Sequence, residues 1–331
     1  MSWQGELDHS KPGSLSRWPA KIVAAVLALL LVAPAAGAQE MPEPKTRTLN
    51  GHSFIPSARL FDPFIVTYVR NNTGVGTAMD VVTNVVDLDG NPQQLVGDVT
   101  FLGIGFGYQQ ALADWVAAYI DVGGGGRFGT AVESIVSTGL NAYVDLALGA
   151  KFRLWRNERF FLSGTFDYAS TSVSAVNVLD WVRNVVDSGD LTDSLLVATG
   201  STGSLRGGLN IAYSPAPWLG LTGLAIFGLG NAVSDNLDSE FAFEGAISAD
   251  IDFGAISSIP IGLLLAFDSN SFTQEGGDIT TSIESFIWGI FYTGRDDFSI
   301  GLEFQNSKLP LRFADETIRA SEMSINLRYW F

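Results

Sequence analysis

The stretch Leu140–Leu154, LNAYVDLALGAKFRL, alternates apolar and polar side chains over fifteen residues. Asp145, Lys151 and Arg153 fall on one set of alternate positions, and leucine, alanine, valine and phenylalanine fill the other. A period of two residues is typical of a β-strand and does not fit a helix. If the apolar face contacts a bilayer, a one-residue slip would place each basic side chain in hydrocarbon, at roughly 2–4 kcal/mol. The pattern therefore predicts a strand with a strongly fixed register.

The same alternation recurs after residue 60 and predicts twelve strands. Clear apolar faces run through residues 102–108, 160–168, 205–213, 241–253 and 298–304, and the chain ends in another. Strands near 114–122, 218–229, 260–268 and 283–293 are apolar on both faces. The first strand is placed near 62–71.

The connections between these strands alternate in length. Short ones lie at 109–114, 155–158, 214–217, 256–260 and 293–297, and long ones at 72–98, 123–138, 171–203, 230–240, 269–281 and 306–320. Short turns at one end and long loops at the other are typical of an outer-membrane barrel. A soluble β-sandwich also alternates, but its strands are shorter and its loops are not sorted by length. The expected fold class is therefore all-β, a closed antiparallel transmembrane barrel of about twelve strands.

Composition excludes several classes of function. The chain has 331 residues, a formal net charge of −16 and no cysteine. The negative charge argues against a nucleic-acid partner, because phosphate contacts need lysine and arginine. The lack of cysteine excludes disulfides, thiolate metal sites and a cysteine nucleophile.

Residues 1–38 are typical of a secretory signal peptide. Lys11, Arg17 and Lys21 precede an apolar run over 22–32, and APAAGA at 33–38 offers a cleavage site before Gln39. The apolar run is too short to span a bilayer as a helix. Residues 39–60 are expected to form a strap in the periplasm, in the lumen or without fixed structure, and residues 61–331 to form the barrel.

The final residues, MSINLRYWF at 323–331, alternate with an aromatic residue at the end. They resemble the C-terminal strand of Gram-negative outer-membrane β-barrel proteins. The resemblance implies that Met323, Ile325, Leu327, Tyr329 and Phe331 are read by the barrel-assembly machinery, and that the protein resides in the cell outer membrane. It also implies a porin-like layout of about twelve strands, with no narrower family indicated.

The polar faces of the predicted strands are expected to line the lumen. The inward charged residues are expected to be Asp145, Lys151, Arg153, Asp167, Arg206, Glu244, Asp250, Asp252, Glu303 and Arg328. A lumen of mixed sign with slightly more acids suits a hydrophilic pore with weak cation preference. The alternative is a narrow barrel filled by paired charges. Inward glycine, serine and alanine leave space and favour the pore.

A nonapeptide occurs twice in the long loops, as MDVVTNVVD at 79–87 and LDWVRNVVD at 179–187, with a looser copy at 131–139. Its valines follow helical spacing and a glycine follows each copy, so each predicts a short amphipathic helix. The polar faces comprise Asp80, Asn84, Asp87, Asp180, Asn184 and Asp187. We interpret the pair as a structural lid over one barrel mouth. Calcium binding at 87–91 is an alternative that lacks the full ligand pattern, and chance similarity is another.

These observations favour an outer-membrane channel or uptake pore for small molecules, with passive diffusion and loop gating. The alternative is a non-conducting structural or surface-recognition barrel. No cofactor, metal or enzymatic activity is expected, because the chain beyond the signal peptide keeps one histidine, His52, in the strap; a site built from carboxylates alone stays open. The expected partners are outer-membrane lipid, the barrel-assembly machinery and a small solute, and the oligomer is left open between monomer and trimer.

Overall fold

The computed structural model describes residues 47–86, 92–128, 139–176, 197–231, 240–273, 280–310 and 317–331. All belong to one compact unit, Met41–Phe331. The strands in these ranges are β1 Thr48–Leu49, β2 His52–Ser53, β3 Tyr68–Val86, β4 Pro92–Ala113, β5 Val116–Phe128, β6 Gly139–Arg156, β7 Phe160–Val176, β8 Val197–Ala216, β9 Leu219–Asn231, β10 Glu240–Asp252, β11 Ile261–Thr273, β12 Thr280–Tyr292, β13 Phe298–Pro310 and β14 Thr317–Trp330.

Strands β3 to β14 form one closed antiparallel barrel, in which each strand pairs with its neighbours in the chain. The seam is closed by β14 and β3, which pair from Arg319↔Met79 to Trp330↔Tyr68. The prediction of a closed barrel of twelve strands is thus confirmed. Strands β1 and β2 form a separate two-stranded sheet that precedes the barrel in the chain.

The outer face of the barrel is apolar and exposed. Large side chains such as Leu229 and Ile247 are 63% and 66% exposed, whereas Lys151 and Arg328, which lie inside the barrel, are each 1% exposed. A soluble protein buries its apolar side chains and exposes its charged ones, so this reversal identifies a barrel surrounded by lipid. Closure also pairs the backbone polar groups that a bilayer cannot satisfy. The protein is therefore an outer-membrane β-barrel.

The short turns gather at one end of the barrel, which in outer-membrane barrels faces the periplasm. They lie between the strands at 114–115, 157–159, 217–218, 253–260 and 293–297, and a 3-10 helix occupies Phe253–Ala255. Trp115, Trp155 and Trp218 are exposed near this end, where tryptophan rings anchor a barrel at the membrane interface. In the described ranges, no helix is long and apolar enough to cross a membrane.

The wall of the barrel is uneven in height. Strands β9 to β13 have 13 residues each, whereas β3, β4 and β8 have 19, 22 and 20. A tilted strand crosses the hydrocarbon layer in about 9–11 residues, so the longer strands extend well beyond it. In the described residues, β3, β4 and β8 therefore extend farther than β9 to β13.

The structure corrects the first predicted strand and the first predicted loop helix. The first barrel strand begins at Tyr68 rather than near residue 62, and Pro63, which lacks a backbone N–H, cannot donate to a ladder at that position. Residues 79–86 of the nonapeptide continue β3 and pair with β4 as far as Val86↔Pro92. Their β-branched valines fit a pleated strand better than a helix.

The remaining predicted loop features mostly lie outside the described residues. These features are Asp87, the second nonapeptide with Asp180, Asn184 and Asp187, the alternative calcium segment at 87–91, and residues 131–138 of the third copy. Asp80 and Asn84 lie on β3 rather than on a helix. A register shift between Ala78 and Val81 interrupts the β3–β4 ladder just before this segment.

Candidate functional site: the barrel lumen

Residues 47–67, here called the lumen segment, enter the barrel from the short-turn end. At that end the Asn50 N–H donates to the Glu158 carbonyl at 2.7 Å, and the Arg47 guanidinium donates to the Asp296 carbonyl at 2.8 Å. At its far point Arg59 pairs with Glu322 of β14, and the chain then returns to start β3 at Tyr68. We call the part of the lumen between the short-turn end and Arg59 the lower lumen, and the part between Arg59 and the long-loop end the upper lumen.

The lower lumen is packed. An apolar cluster joins Phe54 and Phe64 of the lumen segment to Phe161 of β7, and the ring of Phe64 lies 5.2 Å from that of Phe54 and 5.0 Å from that of Phe161. A second cluster places Leu60 against five wall residues of β9 to β12, namely Leu224, Ile226, Ala246, Ala266 and Ile287. The lumen segment therefore has its own hydrophobic core inside the barrel.

Arg328 and Lys151 converge on Asp62 of the lumen segment. Arg328 Nη1 donates to Asp62 Oδ2 at 2.7 Å, and the Lys151 ammonium donates to the Asp62 carbonyl and, at 2.8 Å, to the Gln109 side chain. Arg328 also lies over the Tyr68 ring at 4.6 Å. All of these groups are almost fully buried, so each charge depends on the others for compensation.

His52 and Asp250 form a second buried contact between segment and wall. Their Nε2 and Oδ1 atoms are 2.6 Å apart, both side chains are 0% exposed, and the Ile55 N–H donates to the same carboxylate oxygen at 3.1 Å. Gly220 of β9 allows this approach, because a Cβ there would lie 2.5 Å from both Asp250 Oδ2 and His52 Nε2. The pair is sealed from solvent, which argues against a role as an acid–base site for a diffusing substrate.

Glu303 holds the middle of the lumen segment. Its carboxylate accepts hydrogen bonds from the Ala58 N–H at 2.8 Å, from the Ser57 hydroxyl at 3.2 Å and from the Asn326 amide at 3.2 Å. The carboxylate is thus compensated by three donors rather than by a cation. At the short-turn end, Arg47 lies over the Trp330 ring at 3.9 Å. Burial lowers the pKa of the Arg47 guanidinium, and the Asp62 and Asp296 carboxylates act on that pKa in the opposite direction.

The upper lumen is lined by ion pairs and by free acids. Arg206 Nε donates to Asp167 Oδ1 at 2.6 Å, and Tyr119 donates to Asp167 at 2.6 Å. In the lower lumen, Arg70 donates to the Ala58 carbonyl at 3.0 Å and to Asp121 at 2.7 Å. By strand register Asp145, Glu244 and Asp268 share this inner face, and none of the three makes an ion pair with another described residue. The carboxylates of the described upper lumen therefore outnumber the arginines that share its inner face, which include Arg206 and Arg127.

Two glycines leave space beside Asp145 on the wall of the upper lumen. Gly103 of β4 and Gly123 of β5 occupy positions that face the lumen. A Cβ at Gly103 would meet nothing closer than Tyr143 Oη at 3.8 Å, and one at Gly123 nothing closer than Asp145 at 3.6 Å. Small inward residues on adjacent strands leave room for solvent or a solute in the upper lumen.

Two of the predicted lumen charges lie apart from this network. Asp252 is at the short-turn end, where its side chain accepts hydrogen bonds from the Gly254 N–H at 2.9 Å and the Thr293 hydroxyl at 2.8 Å. Arg153 is half-buried near the same end of β6. Within the described ranges no three histidine and carboxylate groups are arranged to hold a metal ion.

The five C-terminal positions Met323, Ile325, Leu327, Tyr329 and Phe331 alternate with inward residues, and all but Leu327, which is half-buried, are at least 40% exposed.

The sequence pattern did not reveal Asp62, Gln109, Tyr119, Asp121, Asp268 or Glu322 as lumen residues. Asp268 and Tyr119 lie on strands whose two faces are both apolar, so their inward parity was hidden. Asp62 lies in a segment with no periodicity. The Asp62-Pro63 pair was a usable signal, since Asp before Pro favours a turn rather than a strand.

No family model matches the chain, and no curated protein matches it. Among solved structures, an outer-membrane channel from Pseudomonas putida F1 is similar with a TM-score of 0.51 and 8% identity, covering 84% of this chain and 100% of that chain. The translocator domain of the autotransporter NalP from Neisseria meningitidis has a TM-score of 0.47 and 10% identity, covering 96% of this chain and 100% of that chain. The NanC porin has a TM-score of 0.44 and 6% identity, covering 80% and 100%.

Of these three structures, the Pseudomonas channel has a TM-score above 0.5, and at 8% identity this similarity shows a shared fold and nothing more. The prediction of an outer-membrane β-barrel is confirmed by this shared fold together with the closed sheet and its exposed apolar face.

Proposed function

We propose that the protein is an outer-membrane channel for small solutes, with a preference for cations, and that the lumen segment closes its lower lumen. The observation that carries the proposal is the division of one lumen into two unlike halves. The lower half is packed around the lumen segment, whereas the upper half combines inward glycines with carboxylates that form no ion pair with a described residue. Rings of one sign of charge bias a pore toward ions of the opposite sign.

The charge arrangement supports the cation preference. Arg59, Arg70 and Arg206 are each engaged by a carboxylate, so they offer little to an anion entering the upper lumen. Asp145, Glu244 and Asp268 stay available to a cation. The chain as a whole carries a net charge of −16, which also raises the local concentration of cations at its surface.

The second candidate is a non-conducting barrel that recognises a partner at the cell surface. The packed lower lumen favours it, because charges that pair across a lumen fill it rather than conduct. The long strands β3, β4 and β8 would then supply a recognition surface. We propose no enzymatic activity, because His52 is sealed against Asp250, and we propose that the barrel-assembly machinery inserts the chain, as its last strand implies.

Single-channel recording in a planar bilayer under a salt gradient tests the proposal. The purified chain should give brief or small current steps, and a chain with Asp62→Ala and Arg328→Ala should give larger ones, both with a reversal potential of the sign expected for cations. The exposed turn variant Arg295→Ala is the matched control. Folded protein that stays silent with and without the two lumen substitutions would favour the non-conducting barrel.

A further inference from the structure

The wall of the lower lumen bonds mainly to the peptide backbone of the lumen segment. Eight wall side chains on seven strands contact backbone N–H or carbonyl groups between residues 55 and 66: Asp250, Asn326, Arg328, Glu303, Arg70, Lys151, Ser163 and Gln109. Residues 55–66 lie outside β1 and β2, so no strand pairing satisfies these backbone groups, and their burial requires that the wall do so. The wall therefore has the polar pattern of a peptide-binding site.

Side-chain recognition is concentrated on three consecutive residues, Asp62-Pro63-Phe64. The Asp62 carboxylate pairs with Arg328, and the Asp62 carbonyl accepts a hydrogen bond from Lys151. The Pro63 carbonyl accepts a hydrogen bond from Ser163 at 2.7 Å, and the Phe64 ring packs against Phe161. Gln109 donates to the Phe64 carbonyl at 2.9 Å and to that of Val66 at 2.7 Å. The wall thus recognises the Asp62 carboxylate and the Phe64 ring as side chains, and Pro63 between them through its carbonyl.

The lumen segment is joined to the barrel covalently only where residue 67 continues into β3, and the chain has no cysteine to form another link. We propose that the lower lumen is a peptide-binding site for an aspartate-proline-aromatic motif, and that its resident ligand is the chain's own residues 47–67. The tether supplies the ligand at a high effective concentration, on the order of millimolar for a short linker. A free peptide of the same sequence binds when the tethered copy is weakened.

The test uses the full chain in detergent with two substitutions in its lumen segment, His52→Ala and Asp62→Ala, and a fluorescein-labelled peptide of residues 47–67 as the probe. Fluorescence anisotropy should show saturable binding to this variant and at least tenfold weaker binding to the unsubstituted chain, whose own segment competes. A peptide carrying Asp62→Asn should bind at least tenfold more weakly than the natural peptide. Circular dichroism confirms that the barrel is folded.

Wall variants locate the site. Adding Arg328→Ala to the substituted chain should remove binding, whereas adding Arg153→Ala, on the same inner face but without a hydrogen bond or ion pair to the lumen segment in the structure, should leave it unchanged. If the double substitution prevents folding, the single change Asp62→Asn in the full chain replaces it. Folded variants that show no saturable binding, or that bind a scrambled peptide equally well, overturn the inference. Anisotropy requires no ion flow, so a chain that binds the peptide but never conducts would refute the proposed channel and leave this site intact.

Discussion

Arg328, near the end of the last strand, forms an ion pair with Asp62 of the lumen segment, and the two side chains are 0% and 4% exposed at an Nη1–Oδ2 distance of 2.7 Å. The pair fastens a segment that precedes the barrel to the strand that closes it. Lys151 donates to the main-chain carbonyl of the same residue, so Asp62 is held through both its carboxylate and its backbone.

Removing one partner of this pair should be strongly destabilising. Asp62→Ala leaves Arg328 buried without its carboxylate, while Lys151 keeps the main-chain carbonyl, and we expect a loss of about 3–5 kcal/mol in the free energy of unfolding. Replacing both partners, as Asp62→Leu with Arg328→Met, should cost less than either single change. Denaturant unfolding in detergent measures both values, and single changes that cost less than ~1 kcal/mol would contradict the buried pairing.

Gly220 should not tolerate a side chain. Its added Cβ would lie 2.5 Å from His52 and Asp250, so Gly220→Ala should force the two apart and cost about 1–3 kcal/mol, as overpacking does. Gly103→Ala is the matched control, because its Cβ would meet nothing within 3.8 Å, and its effect should stay within ~0.5 kcal/mol. Equal effects of the two substitutions would show that the His52–Asp250 contact does not constrain β9.

A disulfide can lock the lumen segment in place. A Cβ at Gly51 would lie 3.6 Å from that of Pro217, within the range that disulfides span, although the φ of +82° at Gly51 adds about 1–2 kcal/mol of strain for a cysteine. In this cysteine-free chain, Gly51→Cys with Pro217→Cys should form one defined bond. If solutes pass by displacement of the segment, the oxidised protein should carry less current than the reduced one. Identical currents in the two states would mean that the segment need not move.

Neutralising the free carboxylates should weaken cation preference. The triple variant Asp145→Asn, Glu244→Gln, Asp268→Asn removes three negative charges from the upper lumen, so the cation-to-anion permeability ratio should fall toward about one. Asp297→Asn serves as the control, because that carboxylate lies in an exposed turn, where Arg295 lowers its pKa. A reversal potential that is the same in both variants would place the selectivity elsewhere.

The barrel itself was predictable from sequence, because its outer face must be apolar at every second residue, as in Leu140–Leu154. The lumen segment was not, since its contacts are set by a wall assembled from seven strands and leave no periodic trace in residues 47–67. The first nonapeptide copy was misread because valines spaced three and four apart are compatible with a helix, while their β-branching favours the strand that forms.

The inward charges were located more readily than their partners. Alternation placed Glu303, Asp250 and Arg328 on the inner face, yet each is compensated by a group from the aperiodic segment: Ala58, His52 and Asp62. Pairing between distant parts of a chain depends on closure of the barrel, and parity alone does not carry that information. Asp268 was missed because the alternate face of β11 is also apolar.

The lumen segment is made before any barrel strand, but its contacts with Glu322, Asn326, Arg328 and Trp330 require the final strand. Its burial and the sealing of the β14–β3 seam are therefore coupled events in biogenesis. A barrel that has not yet closed lacks the part of the wall that β14 contributes around the lumen segment. We expect residues 47–67 to be accessible to proteases and chaperones at that stage. Protection of residues 47–67 from a protease would therefore report when the barrel has closed.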